Sequence, residues 1–477
     1  MGAWEAVIGL EVHVQLGTRT KIFCPCPTDF GAEPNAHVCP VCLGMPGVLP
    51  VLNGEVVRLA VRAALALGCE VNERSQFARK NYFYPDLPKG YQISQFDQPL
   101  ATGGSLSFEV DGKTRTTRIE RLHLEEDAGK STHLAGRATS LVDFNRAGVP
   151  LAEIVGHHDL RTADEASAYL RELRNLVRWV GAGDGNMEEG SFRCDANVSV
   201  RPVGSETLGT RAEVKNMNSF RHVRQALVHE VERQSSLLEQ GGRVVQETRL
   251  WDPERGVTAP MRSKEDAHDY RYFPDPDLPP LRVPEALVAE QRGLLPELPA
   301  AKRTRYQAEL GLRAYDSTVL TSDRETAEYF EASVAAGAPA KATANWVMGE
   351  VLAASGRAGV APTDLAVTPA RLAALIGLVD AGRLGRPAAK EVFLAVLDGG
   401  EEPEDALARL GLEQVSDGDE IGEQVRAVLA AHPGEVAEYR AGKAKLIGFF
   451  MGKVMRAMGG KGDPAVIKAA LKQELGA

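Results

Sequence analysis

Several short segments in the first half of the chain alternate between apolar and polar residues. The clearest is Val7–Leu16, in which Glu11, His13 and Gln15 alternate with aliphatic side chains. Because successive side chains of a β-strand point to opposite faces, this segment is predicted to be a strand with one polar face. The same alternation recurs at Asp143, Asn145, Asp195, Asn197, Ser199, Glu213 and Lys215. These strands predict a sheet whose polar face is a site for a metal ion and an anionic substrate.

The pattern changes near residue 290. Before that point, strand-like segments alternate with loops and a few helices, which are predicted at Gly54–Leu67 and Thr162–Val180. The proline-dense region 271–284 is predicted to be an ordered, extended loop. After Pro299 the spacing becomes helical almost throughout. The clearest helices predicted there are Ala300–Leu310, Asp323–Ala335 and Pro369–Leu378.

The predicted fold class is therefore α+β, with three domains. Residues 1–292 are expected to form a cradle-shaped domain on a mainly antiparallel sheet, with a metal-binding loop at 24–42. Residues 293–407 are expected to form an all-α domain, and residues 408–477 a small helical tail domain. A glycine- and proline-containing stretch, Gly399–Pro403, is a plausible hinge before the tail.

Composition places the chain among ordinary globular proteins. It has 477 residues, of which 44% are hydrophobic and 25% are charged, and its formal net charge is −10. No apolar run approaches the roughly 18–20 residues of a membrane span. The N-terminus also lacks the basic and then apolar arrangement of a signal peptide. We therefore expect a cytoplasmic protein without a membrane partner.

Charge is distributed unevenly near the C-terminus. Residues 401–426 carry nine acidic and two basic side chains, whereas residues 440–472 carry eight basic and one acidic. A local basic excess of this kind is typical of a surface that binds phosphates, although a solvated helical surface would have a similar composition. The side chains predicted to contact RNA phosphates are Lys443, Lys445, Lys453 and Arg456.

The cysteines predict a structural zinc site. Cys24 and Cys26 form one closely spaced pair, and Cys39 and Cys42 form another across a loop rich in proline and glycine. Two such pairs can close a tetrahedral site of four thiolates, and in a reducing compartment this interpretation is preferred to a disulfide framework. A closed site of this type holds a loop in place and takes no part in the chemistry.

Six longer motifs resemble one known family. They are Val7–His13, Arg79–Asp86, Tyr91–Asp97, His123–Lys130, Arg193–Val198 and Asp269–Pro274. In this order they resemble GatB, the B-subunit family of the glutamyl/aspartyl-tRNA amidotransferases, and the resemblance runs essentially from end to end. The tail resembles the YqeY-type domain with which that family grips the tRNA elbow.

The resemblance implies a function. A GatB protein phosphorylates the side-chain carboxylate of glutamate or aspartate misacylated on tRNA, using ATP, and ammonia then displaces the phosphate. The ammonia comes from an A subunit with amidase activity, and a small C subunit completes a heterotrimer. A nondiscriminating aminoacyl-tRNA synthetase is the expected source of the misacylated tRNA.

This chemistry brings two anions together, so it requires a divalent cation and basic side chains. The leading Mg²⁺ ligands are Glu11, Glu126 and Glu153, with Glu125 and Asp195 as second choices, and the resemblance adds His13 to the metal site. Lys80 and Arg146 are predicted to steady phosphate oxygens, and Asn197 and Lys215 to contribute to the nucleotide site. Glu125 is alternatively the base that accepts a proton from ammonia, and the sequence does not separate its role from that of Glu126.

A second hypothesis belongs to a different functional class. The chain could be a noncatalytic, zinc-stabilised scaffold that binds tRNA, in which the acidic residues only form structural ion pairs. The two hypotheses differ in what they predict for Glu126→Gln. The enzyme hypothesis predicts loss of carboxyl phosphorylation with tRNA binding retained, whereas the scaffold hypothesis predicts no functional loss beyond an effect on stability.

Overall fold

A computed structural model describes residues 4–134, 136, 139–261, 269–415 and 417–476. The chain divides into two compact units, Met1–Ala300 and Ala301–Ala477. The first contains the β-strands of the described chain together with four helices, and the second is helical. Within the described chain, no helix is both long enough and apolar enough to cross a lipid bilayer.

The first unit is built on one large, mainly antiparallel sheet. The strands of this unit are β1 (Trp4–Gln15), β2 (Glu70–Val71), β3 (Arg74–Ser75), β4 (Phe77–Asn81), β5 (Tyr91–Gln95), β6 (Ala101–Thr102), β7 (Ser105–Val110), β8 (Lys113–Glu126), β9 (Lys130–His133), β10 (Ser140–Asp143), β11 (Pro150–Gly156), β12 (Phe192–Pro202), β13 (Ala212–Lys215), β14 (Thr248–Asp252), β15 (Val257–Pro260), β16 (Phe273–Pro274) and β17 (Leu281–Arg282). The main path of the large sheet runs β15-β14-β13-β12-β1-β11-β8-β5-β4-β16, in which β13 and β14 are parallel.

The helices follow the predicted periodic segments closely. They are α1 (Gly54–Ala66), α2 (Ala163–Trp179), α3 (Phe220–Glu239), α4 (Glu285–Gly293), α5 (Pro299–Leu310), α6 (Ala314–Leu320), α7 (Arg324–Ala335), α8 (Ala340–Trp346), α9 (Leu352–Ala358), α10 (Pro369–Asp380), α11 (Arg386–Gly399), α12 (Pro403–Leu410), α13 (Gly418–Ala431), α14 (Pro433–Arg440), α15 (Leu446–Ala457) and α16 (Pro464–Leu475). A π-helical turn, Val347–Val351, joins α8 to α9, and a 3₁₀ turn lies at Pro362–Asp364.

Helices α1, α2 and α3 cover the apolar face of the sheet. In β1, the side chains of Ile8, Leu10, Val12 and Val14 are almost completely buried in the same cluster as residues of all three helices. Helix α2 begins with a capping box, in which Thr162 caps the backbone and Glu165 bonds back to it. Because one face of β1 is buried in this core, its polar residues are directed to the opposite face.

The second unit contains two separate apolar clusters. One runs from Tyr306 to Leu407, and the other, in the last helices, runs from Ile421 to Leu475. The α+β class and the mainly antiparallel sheet predicted from the sequence are confirmed. The three domain boundaries remain predictions.

The region 271–284 is extended, as predicted, and it is attached to the edge of the sheet. The short strand β16 pairs with β4, and β17 pairs with β3. The guanidinium of Arg79 donates to the carboxylates of Asp275 and Asp277, both at 2.9 Å. These ion pairs therefore hold Asp275 and Asp277 beside β4.

A buried ion-pair network joins α3 to β14 and β15. The fully buried carboxylate of Glu230 accepts from Arg233 and Thr258 and lies 3.3 Å from Arg249 Nε. Removing the Glu230 carboxylate would leave the charges of its arginine partners without this compensating anion. We expect Glu230→Ala to lower the free energy of unfolding of this unit by about 3 kcal/mol.

Chemical denaturation, followed by the fluorescence of the nearby Trp251, measures this change. Glu232→Ala, at an exposed position of the same helix, serves as the matched control and is expected to shift the transition by less than about 0.5 kcal/mol. Equal shifts in the two variants would show that the network contributes nothing specific.

Candidate active site

Seven adjacent strands, from β13 to β4, carry polar side chains on the face opposite the core. The antiparallel register sets His13 beside Glu153, Glu153 beside His123, and Glu11 beside Asp195. The polar residues of this face include a set that we call the polar row: Lys80, Gln92, Ser94, His123, Glu125, Glu153, Glu11, His13, Arg193, Asp195, Asn197, Glu213 and Lys215. The predicted polar sheet face therefore exists, but Asp143 and Asn145 are not part of it, because Asp143 ends β10 in a separate two-stranded sheet with β9 and Asn145 lies in the loop that follows.

Three residues of the polar row converge at its middle. His13 Nε2 lies 3.5 Å from Glu125 Oε1 and 3.4 Å from Glu153 Oε2. Ligand atoms of these three residues all lie within 4.8 Å of one another, a spacing that could hold a metal ion. Two carboxylates suit Mg²⁺, and the imidazole nitrogen extends the donor set to softer ions such as Mn²⁺. We call His13, Glu125 and Glu153 the acidic centre.

His123 lies beside the acidic centre, although it was not among the predicted site residues. Its Nε2 lies 3.0 Å from Glu153 Oε2 and 3.8 Å from Glu125 Oε2. Burial opposes its protonation, but the carboxylates of Glu153 and Glu125 raise the pKa of His123 to about 9. The signal was present in the sequence, because a strand through residues 121–126 puts His123 and Glu125 on one face.

The neighbouring carboxylates carry excess negative charge. Burial, and then the charges of Glu153, Glu213 and Asp195, raise the pKa of Glu11. Glu11 Oε1 accepts a hydrogen bond of 2.9 Å from Asn197 Nδ2. An accumulation of partly buried carboxylates is electrostatically unfavourable unless cations neutralise it.

Two lysines lie at opposite sides of the polar row. Lys215 Nζ lies 3.1 Å from both Asp195 and Glu213, and despite burial these carboxylates raise its pKa. Lys80 is held between the rings of Tyr82 and Tyr270, and against the effect of burial the charge of Glu125 raises its pKa. Both lysines therefore remain charged at neutral pH.

Glu126 is not brought to the acidic centre, contrary to the predicted ligand set. It follows Glu125 in β8, and consecutive strand residues point to opposite faces. Its carboxylate pairs with the ammonium of Lys89 and accepts from Ile93 N at 2.8 Å. The structure therefore separates the two glutamates that the sequence could not distinguish, and Lys89 is the partner that was missed.

Arg146 also lies away from the acidic centre. Its guanidinium donates to the carbonyls of Ala128 and Gly129 at 2.9 and 2.7 Å, so it holds the turn after β8. Arg146 nevertheless lines a polar cleft of 620 Å³ that reaches Arg193 and Asp195 of the polar row. That volume is within the usual range for a small-molecule site.

The four predicted cysteine ligands converge in a separate place. Sulfur atoms of Cys24, Cys26, Cys39 and Cys42 lie within 4.8 Å of one another, and all six cysteines of the chain are described as free thiols. A hydrogen bond from Cys24, together with the nearby ammonium of Lys21, lowers the pKa of Cys42. The thiolate is the form of cysteine that binds zinc, so this donor set fits the metal.

In the tail, the predicted phosphate-binding residues are at the surface. Lys443, Lys445 and Arg456 are exposed, and Lys453 is partly exposed, with its ammonium 5.3 Å from the ring centre of Phe449. Phe450 and Val454 of α15 are buried in the tail cluster. One side of α15 thus packs against the core while its cations stay accessible.

Two family models match this chain. The GatB/GatE catalytic domain matches residues 6–289, which contain the acidic centre and the cysteine cluster, and the GatB domain matches residues 328–475. The chain belongs to the GatB family. The resemblance of the six sequence motifs to GatB is therefore confirmed as membership of that family.

Full-length relatives agree with this GatB assignment. The chain is 58% identical to the B subunit of the aspartyl/glutamyl-tRNA(Asn/Gln) amidotransferase of Geobacter sulfurreducens, with 99% of each chain covered. It is 54% identical to the protein of the same name from Solidesulfovibrio magneticus over the whole of both chains. The Myxococcus xanthus protein of that name is also 54% identical, with 99% of each chain covered.

We expect the purified chain to contain about one zinc ion, which elemental analysis under reducing conditions measures. Cys42→Ser removes one thiolate and is expected to lower the zinc content and the thermal stability together. Cys69→Ser is the matched control, because Cys69 is buried apart from the cluster. Equal zinc contents in the two variants would contradict the assignment of these ligands.

Proposed function

We propose that this chain is the component of a tRNA-dependent amidotransferase that activates and amidates glutamate or aspartate misacylated on tRNA. The observation that carries the proposal is the convergence of His13, Glu125 and Glu153 within a polar row flanked by lysines. The names of the full-length relatives support the same reaction class. The enzyme is therefore a ligase that forms a carbon–nitrogen bond.

The reaction takes place in two steps. An oxygen of the side-chain carboxylate attacks the γ-phosphorus of ATP, the bond to the ADP oxygen breaks, and an acyl phosphate forms. Ammonia then attacks the acyl carbon and loses a proton, and inorganic phosphate departs with the electrons of the broken C–O bond. Both steps require compensation of phosphate charge, because carboxylate and triphosphate repel each other.

The polar row supplies the groups for this task. A divalent cation held by His13, Glu125 and Glu153 would supply the positive charge that reduces the repulsion between the two anions. Glu11 and Asp195 extend this ligand set, while Glu126 is better assigned to the Lys89 pair on the other face. Lys80 is directed toward the same side as Glu125 and contacts the carboxylate substrate or its phosphate.

The nucleotide site is proposed to lie in the polar cleft next to Asp195. Arg146 lines that cleft, and Asn197 and Lys215 lie on the neighbouring strands β12 and β13. Because Arg146 already binds two carbonyl groups, its contribution is to fix the cleft wall and add positive charge. With ATP in this cleft and the substrate carboxylate at Lys80, the acidic centre lies between the two substrates.

The proposed reaction requires partners. Ser94, the serine of the polar row, donates to Glu125 Oε2 at 3.3 Å and is not arranged as an amidase nucleophile. Ammonia is therefore proposed to come from an A subunit with amidase activity, with a small C subunit completing a heterotrimer. A nondiscriminating synthetase would supply the misacylated tRNA in the cytoplasm, where translation takes place. Zinc in the cysteine cluster is proposed to be purely structural.

The decisive variant is Glu125→Gln, which removes one charge from the acidic centre with little change in volume. In the enzyme assembled with its partner subunits, we expect ADP formation dependent on glutamyl- or aspartyl-tRNA to fall at least about 100-fold, the size of effect seen when a group stabilising transition-state charge is lost. Binding of tRNA should be largely retained, because most of its affinity is proposed to come from phosphate contacts in the tail.

Two further variants make this test specific. Glu120→Gln changes an exposed glutamate of the same strand and is expected to retain full turnover. Glu126→Gln breaks the Lys89 pair but is expected to keep metal affinity at the acidic centre, measured by Mn²⁺ titration. Full ADP formation by Glu125→Gln would favour the scaffold hypothesis, and loss of Mn²⁺ binding in Glu126→Gln alone would return Glu126 to the ligand set.

The tail is proposed to bind tRNA phosphates through Lys443, Lys445, Lys453 and Arg456. Reversing the charge of Lys445 and Arg456 together is expected to weaken tRNA binding and to reduce the salt dependence of log K by about one unit per lost contact. Lys341→Glu, at an exposed lysine outside the tail, is the matched control. Equal tRNA affinity in all three proteins would contradict the proposed surface, as would unchanged affinity after removal of residues 408–477.

A further inference from the structure

Four aromatic rings form a continuous chain at one side of the polar row. Tyr82 contacts Tyr270 with ring centres 5.9 Å apart, and Tyr270 contacts Tyr272 at 6.1 Å. Tyr272 and Phe96 are stacked, with centres 4.2 Å apart and planes only 6° from parallel. We call Tyr82, Phe96, Tyr270 and Tyr272 the aromatic shelf.

Three members of the aromatic shelf adjoin the ends of strands on the β4 side of the polar row. Phe96 follows the last residue of β5, in which Ser94 lies opposite Glu125. Tyr82 follows the last residue of β4, which carries Lys80. Tyr272 directly precedes β16, whose Phe273 pairs with Arg79 of β4.

The shelf is electrostatically connected to the acidic centre. The ammonium of Lys80 lies 5.0 Å from the ring centre of Tyr270. Burial raises the pKa of Tyr272, whose hydroxyl also responds to the charges of Lys80, Glu125 and Glu153. The shelf and the acidic centre are therefore neighbouring parts of one surface.

Phe96 ends this chain of rings with an open face. It is 55% exposed although it is fully apolar, and its buried side is already occupied by the Tyr272 stack. A flat ring laid on the open face would extend this stack. Proteins bind unpaired nucleic acid bases in this way, on aromatic rings accompanied by cations that face the phosphates.

We propose that the aromatic shelf stacks the 3′-terminal adenine of the aminoacyl-tRNA. This inference rests on the proposed function, because it assumes that the amino acid side chain enters the acidic centre. Only a short aliphatic segment separates the glutamate or aspartate carboxyl from its ester to the terminal ribose. The terminal nucleotide must consequently lie immediately beside the acidic centre, which is where the shelf lies.

The adenine of ATP is the other base that the shelf could hold. The polar cleft lies at the β12 side of the acidic centre, whereas the shelf lies at the β4 side. Placing one substrate at each side brings the γ-phosphate and the carboxylate together from opposite directions. Placing both adenines at the shelf would leave the cleft empty and crowd one edge of the sheet.

The test uses tRNA in which 2-aminopurine replaces the 3′-terminal adenine, bound to the enzyme assembled with its partner subunits. Stacking on an aromatic ring quenches the emission of this base, so wild-type enzyme should quench it. Phe96→Leu is expected to lose the quench and to raise the KM for glutamyl-tRNA about fivefold or more, with the KM for ATP unchanged. Phe96→Trp keeps a ring and should restore both values.

Phe273→Leu is the matched control, because Phe273 is an exposed aromatic residue next to Tyr272 in the chain that contacts Arg79 and is not part of the shelf, so both readouts should be unchanged. A retained quench in Phe96→Leu would overturn the inference. A raised KM for ATP would assign the shelf to the nucleotide, and failure of Phe96→Leu to assemble would assign it to an interface with a partner. The quench does not require turnover, so a failure of the proposed function, seen as full ADP formation by Glu125→Gln, is distinguishable from a failure of the shelf.

Discussion

The hydrogen-bonded register of β1 is the constraint on which the site depends. β1 is paired on both sides, with β12 and with β11, and its apolar side chains Ile8, Leu10, Val12 and Val14 are buried in the core beneath the sheet. A shift of one residue would turn Glu11 and His13 into that core and bring Leu10 and Val12 to the surface, so the register is strongly specified. The acidic centre is thus fixed by apolar packing on the other side of the same strand.

The electrostatics of the polar row follow from the same arrangement. Strands from distant parts of the sequence each contribute one or two charged groups, and adjacency in the sheet brings the carboxylates close together. Lys215 and Lys80 compensate them at the two sides of the row, and Arg193 adds a positive charge on β12. In the middle, His123 and His13 contact the same two carboxylates, Glu125 and Glu153, whose oxygens are the ligand type that a divalent cation such as Mg²⁺ prefers.

Much of this arrangement could be predicted from residue patterns. The alternation at Val7–Leu16 predicted both β1 and its polar face, and the two cysteine pairs predicted their own convergence. The sequence could not show which glutamate of the pair Glu125–Glu126 joins His13, because that depends on the phase of β8 relative to β11. The same limitation hid Lys89, whose partner Glu126 is far away in the sequence. The hydrogen bonds from Arg146 to the carbonyls of Ala128 and Gly129 were also unpredictable, since they depend on the conformation of the turn after β8.

The opposite orientations of Glu125 and Glu126 have a mechanical consequence. One peptide unit carries a ligand of the acidic centre on one face and, on the other, a carboxylate bonded to Lys89 in a cavity that also contains Cys24 and Cys42. A movement of this peptide unit would therefore also change the cavity that the thiolate loop lines. The acidic centre and the cysteine cluster lie on opposite sides of one strand and are linked through a single peptide unit.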